Sequence, residues 1–424
     1  MKIERIEAKT LIRTSKRSPY NLHMNLYQGC YHNCAYCDGT SDNYHMHKDF
    51  STRIKAKVNA PDLFEDFLKK KKLKPIFRKN RATLGDFGGF SFSSEMKHKL
   101  PRYVVSLFGN VCDIYQPAEK ECQITRKILQ IALDYGLAIR ILTKSNLVLR
   151  DMDLIKKIHE KSFARVAFTV TLHNEDDQKN FEPFASSTSE RIEAIAKFRQ
   201  AGIPSGAYIT PVIPFIGDTP ENLDNLFKQL KRVDSEFVIT GGLTLKKRNK
   251  LNFMKVIKEK YPQLTSKIES LYSNYNQLYD YGQPNPEIAL NHNLPNPVYE
   301  GYFLAKKNKI NFFEPRYIPD IRFRKNLVVA TYLARIGFLK KTIYPEDGHC
   351  IYEGAQFQKA AREIEYLQKD LTTMSHLDIK KLKYHDKTVR FEKSIIDSIN
   401  ELLSAGTSHY LKEKDDFGDI LYCK

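Results

Sequence analysis

The sequence predicts an α/β fold: a partial (β/α)6 TIM-type barrel with a mostly helical C-terminal extension. Three observations predict it. Strand-like and helix-like segments alternate between residues 21 and 245, as expected of βαβ units sharing a parallel sheet. The alternation yields six strands, fewer than the eight that close a full barrel. From about residue 250 onward helical spacing takes over. Periodicity alone leaves a flat, doubly wound sheet open as the alternative. The expected domains are therefore a barrel over 1–250 and a helical region over 251–424.

The first strand, 21–27, has Leu22, Met24 and Leu26 at period two. A turn rich in Gly and Cys follows. Pro61 opens a helix over 61–72, where Leu63, Phe64, Phe67 and Leu68 recur at helical spacing. Strands are then expected at 103–108, 138–143, 165–172, 205–212 and 237–245. The helices between them are expected at 119–135, 150–161, 189–201 and 220–233. In the C-terminal part, 253–261, 264–278, 324–338 and 354–371 suit helices. Residues 280–300, rich in Pro, Asn and Gly, read as a connection.

Composition narrows the class. The chain of 424 residues is 42% hydrophobic and 12% aromatic, enough for a sizeable core and against wholesale disorder. No apolar run reaches the ~18 residues of a membrane span, and residues 1–17 lack the apolar core of a secretory signal. Lys plus Arg is 68 against 50 Asp plus Glu, a net charge of +18. A polyanionic partner such as nucleic acid is one reading of that charge, and a solvated basic surface is the other. The run 69–81, with eight Lys/Arg in thirteen residues, is read as a solvated helix end rather than a nucleic-acid patch.

The seven cysteines are odd in number, and three fall within eight residues: Cys30, Cys34 and Cys37. This is not a secreted disulfide framework. It implies a reducing, cytoplasmic setting with thiols free for metal. The spacing C-x3-C-x2-C suits three irons of a [4Fe-4S] cluster, since thiolates are soft ligands. No fourth Cys lies nearby, so one iron stays open to a small ligand, as in other catalytic metal centres. A zinc site using His32, or three buried thiols, are the competing readings. Cys350 and Cys423 are too isolated to suggest a second cluster.

These residues resemble the radical S-adenosylmethionine (SAM) superfamily, whose signature is C-x3-C-x2-C with an aromatic before the third Cys. The surroundings, YNLHMNLYQGCYHNCAYCDG (20–39), resemble its spore photoproduct lyase-like branch, also called DNA-repair-photolyase-like. Five further blocks match that branch in order: 54–72, 112–132, 141–155, 181–203 and 209–218. Together the six cover roughly residues 18–280.

The resemblance implies the following. Cys30, Cys34 and Cys37 hold the cluster, and S-adenosyl-L-methionine chelates the open iron. An electron from a donor such as flavodoxin or ferredoxin cleaves a sulfonium C–S bond, and the resulting 5′-deoxyadenosyl radical removes a substrate hydrogen. The protein supplies position and water exclusion. Tyr36 matches the aromatic near the adenine. Lys144, at a strand's C-terminal end, is placed to pair with the methionyl carboxylate. Thr169 and Thr171 are candidates for hydrogen bonds to the amino acid or ribose part. Asp113, Tyr115 and Gln116 match the branch's DPYQP block and are expected to face the same rim. Arg126 and Arg150 are expected to hold structure through carboxylates. Where the branch usually reads Thr-Asp-Pro, this chain reads Cys112-Asp113-Ile114. Cys112 is a candidate hydrogen donor to a product radical, against the plainer reading of a small buried residue.

Residues 79–101, with Gly85, Gly88 and Gly89, look like an insertion, either a substrate lid or a tolerated surface loop. The expected activity is that of a lyase-type radical SAM enzyme on a nucleic-acid or nucleoside-type substrate, by lesion reversal or modification, with no membrane partner. A small metabolite or peptide substrate is the alternative. A non-catalytic iron–sulfur or nucleic-acid-binding protein is the alternative of another class.

Overall fold

Six parallel strands stand side by side in the order in which the chain makes them. The computed structural model describes residues 1–15, 18–40, 46–76, 101–108, 111–273, 282–319, 323–384, 390–415, 417 and 421–423. Before the barrel-type strands come two the sequence reading did not anticipate, β1 (Lys2–Ile6) and β2 (Ile12–Ser15). β3 (Ser18–Met24) begins the parallel series, and β4 (Tyr27–Gln28) and β5 (Arg53–Lys57) flank the cysteine loop. The series continues with β6 (Val104–Phe108), β7 (Ala138–Thr143), β8 (Ala164–Thr169), β9 (Ser205–Val212) and β10 (Val238–Gly242). The sheet order is β10-β9-β8-β7-β6-β3-β2, with β2 antiparallel to β3, and β1-β5-β4 form a small second sheet. The result is a mixed α/β fold with a largely parallel sheet and many helices, in line with the expected class.

A monotonic strand order joined by crossovers of one hand puts every crossover helix on the same face. Burial agrees. Leu107, Ile141 and Val166 are register partners and fully buried. One residue back, His23, Ser106, Arg140 and Arg165 stand in register on the opposite face. Arg140 donates to Ser106 at 2.8 Å and Asn21 at 3.1 Å, while fully buried Arg165 pairs with Glu314 and packs against the rings of Phe108 and Phe237.

Among the described residues up to Pro315 the helices are α1 (Ala60–Lys70), α2 (Glu119–Cys122), α3 (Ile124–Asp134), α4 (Met152–Lys161), α5 (Glu175–Phe181), α6 (Thr188–Gln200), α7 (Pro220–Arg232), α8 (Arg248–Lys260), α9 (Thr265–Leu271), α10 (Pro286–Asn291) and α11 (Pro297–Asn308). The expected single helix over 119–135 is two. Gln123 sits in the left-handed region at φ 48°, and the buried Glu119 carboxylate takes the free amides of Ile124 and Thr125 that open α3. The expected connection over 280–300 contains α10 and the start of α11. Asn285 and Asn296 each cap a helix whose first residue is Pro, so the Asn-Pro pairs are helix starts rather than loop markers.

By contacts the chain divides into Met1–Pro315 and Arg316–Lys424, later than the division expected at 250. The helices after residue 250 pack on the first unit: α11 lies on β10, and Phe253, Met254, Ile257, Ile268 and Leu271 share a core with Phe181 and Ile213. The second unit is helical apart from the pair β11 (Arg316–Ile318) and β12 (Leu421–Cys423). Among the described residues no helix is long and apolar enough to cross a membrane. The expected insertion at 79–101 lies almost wholly outside the described residues.

Candidate functional site

The cysteine loop starts at a residue that must be glycine. Gly29 has φ +94°, and a Cβ there would lie 2.7 Å from the carbonyl oxygens of both Phe50 and Arg53. The Cys30 amide donates to Phe50 at 2.9 Å. The Gln116 side chain clasps the loop around Cys30, donating to the Gly29 carbonyl and accepting from the Tyr31 amide, both at 2.9 Å. Ala35 donates to the Phe181 carbonyl at 2.8 Å, and Thr40 closes the turn onto the Cys37 carbonyl. So the loop is held from the residues before β5, from the block after β6 and from the end of α5.

The three cysteines are free thiols, with Cys30 buried and Cys34 and Cys37 half-buried. Burial pushes all three thiols up; Cys34 and Cys37 also act electrostatically on Cys30, and Cys37 on Cys34. Three soft donors gathered out of water fit a metal group better than an apolar core. Among the described residues, no three His, Cys, Asp or Glu side chains converge on the position of one metal ion. His32, the candidate fourth ligand of the zinc reading, is already engaged: Nε2 lies 3.3 Å from Asp113 and Nδ1 3.1 Å from the Phe184 carbonyl.

Asp113 is a buried anchor. Burial alone would push its carboxyl up. His32, the amides of Lys144 and Tyr115 and the Thr143 hydroxyl donate to it and hold it down at about 2. It thereby ties the end of β7 to the cysteine loop. Tyr115 is expected on the same rim. It is fully buried, and its hydroxyl donates to Asp151 at 3.1 Å, since a phenol in a core needs an acceptor. Asp151 and Glu119 in turn receive Arg150 at 2.7 and 2.8 Å, and Arg126 joins Asp151 to Asp153 at 2.9 Å. Both arginines bind carboxylates, as expected.

The second network had no assignment from sequence. Glu182 is fully buried and accepts from Arg191, the Tyr36 hydroxyl, Thr171 at 3.2 Å and Gln178 at 3.2 Å. Burial would raise its carboxyl, but Arg191 first and Lys144 second keep it low. Arg191, also fully buried, donates to the Thr169 and Ser186 carbonyls at 2.8 Å. The Lys144 ammonium lies 5.7 Å from the Tyr36 ring centre and acts on Cys34 and Cys37. The structure thus gathers Tyr36, Lys144, Thr169 and Thr171 with the cysteines around Glu182 and Arg191. The latter two lay in the matched block 181–203, but a carboxylate nine residues before an arginine carries no local signature. Cys112 is buried in the segment after β6, beside the loop. It contacts the Gly29 backbone and acts on Cys30 and Cys37, and burial pushes its thiol up.

A family model described as spore photoproduct lyase matches residues 123–283. An uncharacterised protein of Methanocaldococcus jannaschii is 32% identical over 219 residues, 51% of this chain and 70% of that one. An uncharacterised protein of Mycobacterium tuberculosis is 24% identical over 258 residues, 60% of this chain and 68% of the other. Among solved structures, spore photoproduct lyase complexed with dinucleoside spore photoproduct is 19% identical with a TM-score of 0.45, covering 69% of this chain and 76% of that chain.

Proposed function

The chain belongs to the spore photoproduct lyase-like branch of the radical SAM proteins, and on that premise we propose that it is an enzyme that cleaves SAM reductively and removes a hydrogen atom from a nucleic-acid or nucleoside-type substrate. The parallel sheet is read as a partial barrel with its site at the strands' C-terminal ends. One observation carries the reading: the Lys144 ammonium stands beside three clustered thiols, one buried and two half-buried. Arg191 is paired with Glu182, whereas Lys144 acts on Glu182, Asp113 and Cys34 together. A cation so placed can receive an anion, and an amino-acid carboxylate fits that role.

Cys30, Cys34 and Cys37 would hold a [4Fe-4S] cluster. When bound, the cluster and SAM supply the reductive C–S cleavage and the 5′-deoxyadenosyl radical. The protein's part is placement. Lys144 receives the methionyl carboxylate. Tyr36, fixed by its hydroxyl to Glu182, offers a ring to the adenine. The Thr169 and Thr171 region frames the ribose and amino-acid part. Asp113 and Tyr115 are assigned a positioning role, holding the rim rigid through β7 and Asp151. Cys112 is the candidate hydrogen donor to a product radical, and a flavodoxin- or ferredoxin-type protein the electron donor.

The test is anaerobic reconstitution with iron, sulfide, dithionite and SAM, followed by incubation with deuterated nucleosides and oligonucleotides. Release of 5′-deoxyadenosine, with deuterium entering it from one substrate class, is expected. Protein that binds zinc but no sulfide, and releases no 5′-deoxyadenosine, would refute the proposal.

A further inference from the structure

A cavity of about 310 Å³ opens where β1 and β2 meet β3 and β5. Among the residues lining it are Lys9, Arg13, His23, Asn25 and Lys57, with Glu7 the one carboxylate. None of these residues lies in the segment matched by the family model. Three further facts single the cavity out. The Lys57 ammonium donates to the Asn25 carbonyl at 2.7 Å, yet Arg13 pushes on it with like charge. Among the described residues neither cation is paired with a carboxylate. Nδ1 of His23 and Oδ1 of Asn25 are buried without hydrogen-bond partners. An orphaned buried polar atom is costly, and two at one cavity ask for a ligand.

The cavity also reaches the chemistry. Gln28, on its wall, stands two residues before Cys30. Lys57, on the same wall, acts on the Cys112 thiol, which in turn acts on Cys30 and Cys37. A molecule seated here would extend toward the cysteine loop.

We propose that this cavity seats a phosphate group of the substrate, a nucleotide-type phosphate in monoester or diester form. The proposal rests on the nucleoside-type reading above and adds where the anion binds. Two to three unpaired cations match the charge of one phosphate. The Arg13 fork suits its oxygens. Nδ1 of His23 would donate to the phosphate, and Oδ1 of Asn25, an acceptor, would take a hydroxyl of the attached sugar. The volume sits at the small end of ligand sites, so it holds one phosphate with its sugar and no duplex.

The experiment uses the full-length protein as purified. Calorimetric titrations compare the four deoxynucleosides, their 5′-monophosphates and the matching dinucleoside monophosphates. At least tenfold tighter binding of a phosphate-bearing form is expected. In K9Q/R13Q that advantage should fall below about threefold with an unchanged melting temperature, since both side chains are exposed. An advantage confined to monoesters identifies a free nucleotide, one confined to diesters a chain, and both support the site. Equal binding with and without phosphate, or an advantage that survives in K9Q/R13Q, overturns it. Release of 5′-deoxyadenosine is measured in parallel on reconstituted protein. Phosphate preference without release would sink the radical reading alone. Release without phosphate preference would sink the cavity assignment alone.

Discussion

Replacing Glu182 by Gln tests the buried network at the centre of the site. The side chain is fully buried and accepts from four side-chain donors, one of them the fully buried guanidinium of Arg191. Gln keeps the shape but removes the charge, leaving Arg191 with only the Thr169 and Ser186 carbonyls. Breaking a buried pair on one side costs about 3–5 kcal/mol. With a urea dependence of about 3 kcal/mol per molar for a chain of this size, the unfolding midpoint should drop by roughly 1 M. The chain has no Trp, so far-ultraviolet circular dichroism and tyrosine emission follow the transition. Glu193→Gln, which breaks an exposed pair with Lys197, should change stability by less than about 0.5 kcal/mol. Adding Arg191→Met to Glu182→Gln should recover part of the loss, because the stranded charge leaves with its partner. A drop below about 0.3 M, or strictly additive effects of the two substitutions, would refute the claim that this pair is a buried, mutually dependent unit.

Gly29→Ala should leave the chain folded but lower reconstituted iron to roughly half or less, because φ +94° and two carbonyls at 2.7 Å forbid the Cβ where the loop begins; full iron would refute that constraint. Lys144→Met removes a charged contact of about 1.5–3 kcal/mol, so the KM for SAM should rise roughly ten- to a hundredfold with the cluster's absorption spectrum intact; an unchanged KM would remove Lys144 from SAM binding. Burial pushes the Asp218 carboxyl up to about 6 from its ordinary 3.8. The folded state therefore holds that proton more tightly than the unfolded state, and stability falls as pH rises across that window. Asp218→Asn should raise the melting temperature at pH 7.5 and leave it unchanged at pH 4; an equal gain at both would contradict the assignment.

The parallel series was legible because each strand carries its own local pattern, as in 138–143, where Ile139 and Ile141 alternate with Arg140 and Leu142. The cysteine spacing was legible for the same reason: three ligands lie within one loop. What stayed hidden is long-range. The β1–β2 segment is short, with no strict alternation, and it gains meaning only by pairing with β5 and β3. Glu182 and Arg191 stand nine positions apart on different elements, and only the fold shows that both are buried and paired. Tyr115 illustrates the converse. A matched block named it, but the partner of its buried hydroxyl, Asp151, lies 36 positions on and carries no local signal. The Asn-Pro helix starts at 285 and 296 were readable in principle and were outweighed by composition.

The charge balance of the buried groups separates scaffold from site. Around Glu119 and Asp151, two arginines meet three carboxylates, and tyrosine hydroxyls and helix-opening amides supply the remaining donors. That network is complete without a ligand, so its role is to hold α2, α3 and α4 in place behind the loop. Around Glu182, Lys144 acts on two carboxylates and a thiol at once, and around the β1–β2 cavity Arg13 and Lys57 have no carboxylate partner among the described residues. Cations that stand on both flanks of one cysteine loop without being saturated by carboxylates are placed to receive anions there. If these cations serve ligands, K9Q/R13Q should weaken phosphate binding with the melting temperature unchanged, and Lys144→Met should weaken SAM binding with the fold retained. A loss of stability in both variants would mean that the cations are scaffold after all.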